Sequence, residues 1–266
     1  MAITIGVPRS PAWLSAPTLL LYASSVLTLG ASQTNVVAGP KEPKPGTMLI
    51  EVGDLQKKLK DSGLRILDTR PQADYTNGHI PGAVRVDVKT WQALGKKEGG
   101  FRDAKAWGEQ IGSLGITHGS KIAVYGSNLT DTARIWWTLK YLGVEHVVIV
   151  NGGWNAWTKE NLPMEKTAAA TKATTFEPKF QADRLEEIGS LKKAIKTDKV
   201  KVVDTRTQGE FTGKDVKGKK GGHITGATHL EWKELLAEDG RFKTPEQLRK
   251  LFRERGILPD DTAVCY

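Results

Sequence analysis

The chain has 266 residues, of which 39% are hydrophobic and 26% are charged, and it carries a net charge of +9. This length suits two domains of ordinary size, and the composition excludes disordered and fibrous proteins. The surplus lysines and arginines are scattered through amphipathic stretches, and the sequence has no zinc-ligand spacing, RNA-binding signature or basic arm. We therefore expect no nucleic-acid partner, whereas a mildly positive field suits a small anionic substrate.

The first 32 residues differ in kind from the rest of the chain. Arg9 precedes a charge-free apolar run, "SAPTLLLYASSVLTLGAS", that ends in small residues. This arrangement is typical of a secretory signal peptide, so we predict that residues 1–32 are cleaved and that the protein is periplasmic or secreted, without stable membrane association. A membrane anchor and an organelle transit peptide are the alternatives, but a spanning helix needs about 20 apolar residues. Residues 33–46 are polar and rich in Pro, Gly and Lys, which predicts a linker.

Two segments of the chain repeat one pattern. The first reads "LDTRPQADYTNGHIPGA" and the second reads "VDTRTQGEFTGKDVKGKKGGHITGA". Asp68 and Asp204 are 136 residues apart, whereas His79 and His223 are 144 apart, so the second copy contains an eight-residue insertion. The insertion is rich in Gly and Lys, which predicts an exposed loop.

Helical and strand-like stretches alternate after each copy. "AWGEQIGSLGI" precedes "KIAVYG", and "PEQLRKLFRERGI" precedes "TAVCY"; the first copy continues through "TARIWWTLKYLG" to the strand "HVVIV". The alternation predicts an α/β fold with two domains, 47–165 and 181–266, each a mostly parallel sheet flanked by helices. Residues 166–180 between them are predicted to be a linker. Compared with the first copy, the second domain is expected to be incomplete at its C-terminal end.

Residues that both copies share are assigned to the fold. Asp68 and Asp204 are predicted to cap the turns that follow their strands, and the glycine in each "HIxGA" to permit tight backbone geometry. His79 and His223 are predicted to be buried hydrogen-bonding residues rather than general bases, because the copy without a cysteine has the same histidine. Four tryptophans are predicted to pack in the core or at a domain interface, namely Trp136, Trp137, Trp154 and Trp157.

Cys265 is the sole cysteine of the sequence. Its counterpart in the first copy is Val124, Tyr125 or Gly126, depending on where a one-residue gap is placed, and none of these can be a sulfur nucleophile. A free cysteine is often no more than a small buried apolar residue. However, open α/β sheets bind ligands at the C-terminal ends of their parallel strands, which favours Cys265 as a catalytic residue.

These motifs resemble the tandem-domain rhodaneses, or thiosulfate sulfurtransferases. The resemblance is carried by both "DTR" segments with their "GHIPGA" and "GGHITGA" endings, by "ARIWW" and "VNGGWNAW", and by the lone cysteine. It implies a non-catalytic first rhodanese-like domain, 47–165, and a catalytic second domain, 181–266, in which Cys265 opens the active-site loop. It also implies that no metal or organic cofactor is required.

The resemblance further implies a reaction. A sulfane sulfur passes from thiosulfate, or a related anionic donor, to Cys265 as a persulfide, and then to cyanide or a thiol acceptor. Arg206 and Tyr266 are the candidate substrate-binding residues. Members of the family often have a second arginine four residues after the first, where this chain has Glu210. An acid there would disfavour an anionic substrate, so the sequence does not distinguish thiosulfate from mercaptopyruvate as the donor.

Two other functions fit the same motifs. One is a non-catalytic sulfur-carrier or partner-binding module; the other, less favoured because of the tandem arrangement and the export signal, is a phosphatase. A lowered thiol pKa requires the backbone N–H groups of the active-site loop, which follows the strand of Cys265. We therefore expect negligible activity from these 266 residues, an ordinary thiol pKa for Cys265, and aggregation or partial disorder of residues 200–266.

Overall fold

The computed structural model describes residues 2–5, 48–197 and 200–266, which contain two open sheets of five strands each. Residues 6–47, which include most of the predicted signal peptide and linker, lie outside the described residues. The first strand, β1 (Ala2–Ile5), belongs to the second sheet. Within the described ranges, no helix combines the length and apolar character needed to cross a membrane.

The first sheet is formed by residues 49–150 and is parallel throughout. Its strand order is β2-β6-β5-β3-β4, where the strands are β2 (Leu49–Ile50), β3 (Leu64–Asp68), β4 (Ala83–Arg85), β5 (Lys121–Tyr125) and β6 (Val147–Val150). The last four residues of the central strand β5 are buried, as expected for a parallel strand covered on both faces. The predicted α/β class is confirmed for this domain.

Helices cover both faces of the first sheet. They are α1 (Val52–Lys57), α2 (Gln72–Asn77), α3 (Val88–Lys96), α4 (Ala104–Gly112), α5 (Leu129–Tyr141) and α6 (Gly153–Lys159), with a 3-10 turn at Gly100–Arg102. Alternate residues of a strand point to opposite faces, so Val124 packs with Trp107 and Trp136 on one side and Tyr125 packs with Trp157 on the other. The prediction that four tryptophans pack in the core is confirmed for Trp136, Trp137 and Trp157, and Trp154 is partly buried against the core around Trp157.

The second sheet also has five strands, and its strand order matches that of the first sheet except that one inner strand, β1, comes from the start of the chain. Its order is β7-β1-β10-β8-β9, with β7 (Leu185–Glu186), β8 (Lys201–Asp204), β9 (Thr228–His229) and β10 (Ala263–Cys265). Strands β10, β8 and β9 are parallel, whereas β1 is antiparallel to both β10 and β7. The helices are α7 (Ile188–Ile195), α8 (Gln208–Thr212) and α9 (Pro245–Glu254), with 3-10 turns at Ala182–Arg184 and Trp232–Leu235.

Strand β1 occupies the position in the second sheet that β6 occupies in the first. The sequence predicts that the second domain, being incomplete at its C-terminal end, lacks a counterpart of β6. In the structure β1 takes this position, and it is antiparallel to its neighbour β10, whereas β6 is parallel to β5. The buried core of this domain is small, with Leu191, Val202 and Val264 at its centre. The prediction that residues 1–32 are a signal peptide is not tested by this pairing and stays a prediction.

The predicted linker, 166–180, lies against the first domain along its length. Thr174 N donates to Gly112 O at 2.9 Å, and Lys179 N donates to Leu142 O at 2.9 Å. Phe176 is 5% exposed and packs in the larger core cluster of the first domain. The backbone can approach α4 this closely because Gly108 and Gly112 have no Cβ; an added Cβ would meet Phe176 O and Thr174 O at 2.7 and 2.3 Å.

We therefore predict that the linker stabilises the first domain. Phe176→Ala should lower the free energy of unfolding by about 3–5 kcal/mol, because it removes a buried aromatic ring and leaves a cavity. Urea denaturation followed by tryptophan fluorescence measures this change. Leu258→Ala is the control, since Leu258 is 54% exposed and its loss should cost at most about 0.5 kcal/mol. Equal effects of the two substitutions would contradict the packing of the linker.

Candidate functional site

Both candidate substrate-binding residues, Arg206 and Tyr266, contact Asp204 at the C-terminal edge of the second sheet. Arg206 Nε and Nη2 donate to the Asp204 carboxylate at 3.0 and 2.5 Å, and the Arg206 backbone N–H donates to Asp204 Oδ1 at 3.0 Å. The Tyr266 hydroxyl accepts the Ile224 N–H at 2.9 Å and hydrogen-bonds to Asp204. These bonds join the ends of β8 and β10 to the chain that precedes β9.

The first domain contains the same network. Arg70 Nη2 donates to Asp68 Oδ2 at 2.6 Å, and the Tyr125 hydroxyl donates to the same oxygen at 2.5 Å. The Ile80 N–H donates to the Tyr125 hydroxyl at 3.1 Å. The predicted turn caps are confirmed, because the backbone N–H of Arg70 donates to Asp68 Oδ1 at 2.8 Å as that of Arg206 does to Asp204. The glycines of both "HIxGA" segments have positive φ, 76° at Gly82 and 81° at Gly226, as predicted.

The strand register fixes which residue of the first copy corresponds to Cys265. Cys265 pairs with Val203 of β8, and Val124 pairs with Leu67 of β3, each one residue before the buried aspartate. No gap is needed, so Val124 is the counterpart among the three that the sequence allows. Tyr266 then corresponds to Tyr125, and Gly126, which begins the loop to α5, corresponds to the position after Tyr266. Cys265 therefore lies within the strand, two positions before the start of that loop.

The surroundings of Cys265 do not favour its thiolate. The residue is half-buried, and burial raises the pKa of its thiol to about 11. From the sequence we expected Cys265 to have an ordinary thiol pKa, and the structure shows that this expectation is wrong because burial raises the pKa. Because the thiolate is the nucleophilic form, the described residues hold Cys265 as a neutral thiol at neutral pH. Its assignment as the nucleophile is not tested by this geometry and stays a prediction.

The two networks differ in how they are covered. The Trp154 ring lies 3.7 Å from Arg70 Cζ, and the Arg70 side chain is only 3% exposed. Among the described residues, only the Tyr266 ring lies against Arg206, at 5.1 Å from Cζ, and the Arg206 side chain is 32% exposed. The network is therefore closed in the first domain and accessible to solutes in the second.

The charges of the second network are held by their mutual contacts. Burial alone would raise the pKa of Asp204, but hydrogen bonds from Arg206 and Tyr266 keep that pKa below its ordinary value. Hydrogen bonding to Asp204 in turn raises the pKa of Arg206. Burial also raises the pKa of Tyr266, whose hydroxyl is already engaged within the network. Arg206 is thus a permanent cation with one accessible side, whereas a substrate contact by Tyr266 stays a prediction.

Glu210, at the position where an arginine is common in similar chains, has a local structural role. Its carboxylate accepts the Thr207 hydroxyl at 3.0 Å, and its own N–H donates to that hydroxyl at 3.3 Å, which forms a capping box at the start of α8. In the first domain the corresponding residue is also an acid, Asp74, and it lines a cleft of about 300 Å³ beside Arg70 and Trp154. Both copies therefore place a carboxylate, not a second cation, near this edge of the sheet.

The two histidines of the repeat are structural, although only one is buried. His79 is fully buried, stacks on Tyr75 at 3.9 Å and bonds through Nδ1 to Tyr75 O at 2.9 Å. His223 stacks on Phe211 and bonds to Phe211 O in the same way, but it is exposed. The prediction of burial is confirmed for His79, which Glu165 and Thr167 cover, and wrong for His223.

We predict that the buried aspartates differ in their contribution to stability. Asp68→Asn should destabilise its domain by about 3–5 kcal/mol, because it leaves the buried Arg70 without a counter-charge. Asp204→Asn should cost less, since water can solvate the accessible side of Arg206. Hydrogen–deuterium exchange of β3 and β8 measures the two domains separately. A larger loss in β8 than in β3 would contradict this difference in cover.

We also predict that Cys265 reacts only at alkaline pH. With a pKa near 11, its alkylation by iodoacetamide at pH 7.5 should be about 300-fold slower than that of a free thiol of pKa about 8.5. The rate should rise roughly tenfold per pH unit up to pH 10. The same chain unfolded in guanidinium is the control, and its rate should level off above about pH 9. Levelling off at the same pH in the folded chain would contradict the raised pKa.

Comparison with known proteins adds relatives of two kinds. The thiosulfate sulfurtransferase of Cricetulus griseus is 28% identical over 217 residues, covering 73% of this chain and 71% of that protein. The 3-mercaptopyruvate sulfurtransferase of Escherichia coli K12 is 28% identical over 224 residues, covering 77% and 78%. The crystal structure of SseA, a 3-mercaptopyruvate sulfotransferase from Escherichia coli, is similar with a TM-score of 0.70 and 28% identity over 82% of this chain and 87% of that one.

The family model of the rhodanese-like domain matches two segments, residues 51–160 and 187–266. Each segment contains one Asp–Arg–Tyr network and the parallel strands that carry it. The two segments confirm that the chain contains two units of this kind, and together they span more than half of the chain. This protein therefore belongs to the rhodanese family and contains two rhodanese-like domains.

Proposed function

We propose that this protein is a sulfurtransferase that moves a sulfane sulfur from thiosulfate, or a related anionic donor, to cyanide or a thiol acceptor through a cysteine persulfide. The observation that carries the proposal is the accessible Asp204–Arg206–Tyr266 network at the C-terminal edge of the second sheet. Relatives that use thiosulfate and relatives that use 3-mercaptopyruvate are equally similar in sequence, so the proposal names the class of donor.

The proposed reaction is a double displacement without a metal or organic cofactor. A cysteine thiolate attacks the outer sulfur of thiosulfate, the new S–S bond forms, and sulfite leaves with the electron pair of the broken bond. Cyanide then attacks the outer sulfur of the persulfide, which releases thiocyanate and regenerates the thiolate. Both small-molecule partners are anions, and the accessible side of Arg206 can attract them to this edge of the sheet.

Cys265 is the proposed sulfur carrier of these 266 residues because the sequence contains no other thiol. Two observations limit its reactivity: its pKa is about 11, and its counterpart Val124 is a core residue. Sulfur transfer at neutral pH requires N–H donors that lower this pKa, and the described residues supply none to the thiol. We therefore expect slow transfer that is limited by the thiolate population.

A second candidate function is a non-catalytic sulfur-carrier or partner-binding module. The raised pKa of Cys265 favours it, since a neutral thiol within a strand is a structural residue rather than a nucleophile. We further propose that the protein works outside the cytoplasm, on the basis of the apolar run before Ser32. Cell fractionation that finds an uncleaved N-terminus in the cytosol would refute export.

The activity test compares the chain with Cys265→Ser at pH 7.5 and at pH 10. Each protein is incubated with thiosulfate or 3-mercaptopyruvate and then with cyanide, and thiocyanate is measured by its colour with ferric ion. Intact-mass spectrometry before the cyanide step detects sulfur on the protein. We expect negligible turnover at pH 7.5, and one added sulfur at pH 10 that is absent from the serine variant, because only the higher pH populates the thiolate.

The outcomes separate the two candidate functions. The Escherichia coli 3-mercaptopyruvate sulfurtransferase serves as the positive control at pH 7.5. Turnover by this chain comparable to that control would contradict a reaction limited by the pKa of Cys265. Sulfur on the Cys265→Ser variant would show that another residue carries it. No sulfur on the chain at either pH would exclude Cys265 and favour the binding module.

A further inference from the structure

The eight-residue insertion of the second repeat forms a lysine-rich loop beside the candidate site. The loop, residues 213–222, reads "GKDVKGKKGG" and connects α8 to the segment before β9. In the first domain the corresponding connection is only Asn77 and Gly78. The insertion therefore adds a surface that the first domain lacks, and the shared fold does not require it.

Contacts at its base hold the two ends of the lysine loop together. Arg206 Nη2 donates to Gly222 O at 2.8 Å, so one end is fixed to the Asp–Arg–Tyr network. A Cβ at Gly213 would meet Gly222 N at 3.0 Å, and a Cβ at Gly221 would meet Gly213 O at 3.0 Å. The chain thus leaves and re-enters the domain at one point, and the residues between project into solvent.

The projecting residues carry a concentrated positive charge. Lys214, Lys217, Lys219 and Lys220 are all exposed, and Asp215 is the single acid among them. No ion pair or hydrogen bond within the described residues engages any of the four lysine side chains. Lys192, Lys193 and Lys196 form another exposed lysine-rich segment, but the lysine loop is the one joined to the accessible network, through Gly222.

The loop also presents an apolar side chain amid its lysines. Val216 is 54% exposed. A small anion would bind to converging donors and would not use a valine. Single-stranded nucleic acid would be bound by aromatic stacking, and the loop contains no aromatic residue. An acidic protein segment with an apolar side chain matches both the charge and the valine.

We propose that the lysine loop is a docking surface for an acidic segment of a partner protein, which contacts Val216 through an apolar side chain. Docking there brings the partner to the edge of the sheet where Arg206 is accessible. The inference concerns binding alone and does not require that Cys265 carries sulfur, so it can fail or hold independently of the proposed reaction.

Fluorescence anisotropy with a labelled acidic peptide tests the proposal. The probe is a fluorescein-labelled heptapeptide with three glutamates on each side of a central leucine. Replacing all four loop lysines by glutamine should weaken binding roughly tenfold or more at low salt, because four charged contacts with the glutamates are lost. The charge-matched control replaces four exposed lysines of the first domain by glutamine, Lys89, Lys96, Lys97 and Lys105. It should change affinity less than about threefold.

A second comparison tests the apolar contact. Val216→Ser should weaken binding of the leucine-centred peptide severalfold and leave a serine-centred peptide unaffected, because only the first buries apolar area against the valine. If the loop variant and the first-domain variant lost equal affinity for the peptide, binding would depend on net charge alone and the proposal would be wrong. So would sulfate that displaces the peptide better than chloride at matched ionic strength, or tighter binding of an oligothymidylate than of the peptide.

Discussion

In each sheet the corresponding strand ends in a fully buried aspartate. The structure of the C-terminal edge depends on the hydrogen bonds that compensate the buried negative charge. An unpaired carboxylate in this position would cost several kcal/mol, so an arginine two residues later and a tyrosine from the neighbouring strand supply hydrogen bonds. Because each partner comes from a different segment, satisfying the charge also fixes the two strands and the following loop relative to one another. These bonds therefore connect the elements at the edge where α/β sheets bind ligands.

The sequence predicted this edge because its determinants are local. "DTR" places the arginine two residues after the aspartate, and the two copies allowed the turn caps and the positive φ at Gly82 and Gly226 to be read from the pattern. Tyr266 was predicted only as a substrate-binding residue, and the hydrogen bond between tyrosine and aspartate was missed. Its signal was present, since Tyr125 and Tyr266 each end the strand that follows the helical stretch, and aligning them removes the gap that left the counterpart of Cys265 undecided.

Features that depend on distant contacts could not be predicted in this way. The four residues of β1 are too few to show the alternation of apolar and polar residues that indicates a strand. Their antiparallel pairing with β10 depends on contacts with residues distant in sequence. The "AAATKATTFEPKF" stretch lacks periodicity, yet it packs along α4 because glycines on that helix leave room for its backbone. The different burial of the two histidines depends on Glu165 and Thr167, which are distant in sequence and cover His79.

The two domains contain the same charged network, but its cover differs. In the first domain a tryptophan closes over the arginine. In the second domain that side of the arginine faces solvent. Divergence of the two repeats therefore lies in what surrounds the network, while the network itself is retained.

The packing of residues 166–180 on the first domain changes the effective length of the tether between the domains. A free linker of that length would let the second domain sample a wide volume, and the local concentration of one domain at the other would be correspondingly low. Backbone bonds at Thr174 and Lys179 remove most of that freedom. The Gln181 N–H and the Arg184 carbonyl are bonded to Tyr141 and Trp137 of the first domain as well, so β7 follows directly on a fixed segment. The second domain is therefore held at a high effective concentration beside the first, and the Phe242 N–H donates to Asn151 Oδ1 between them at 2.9 Å.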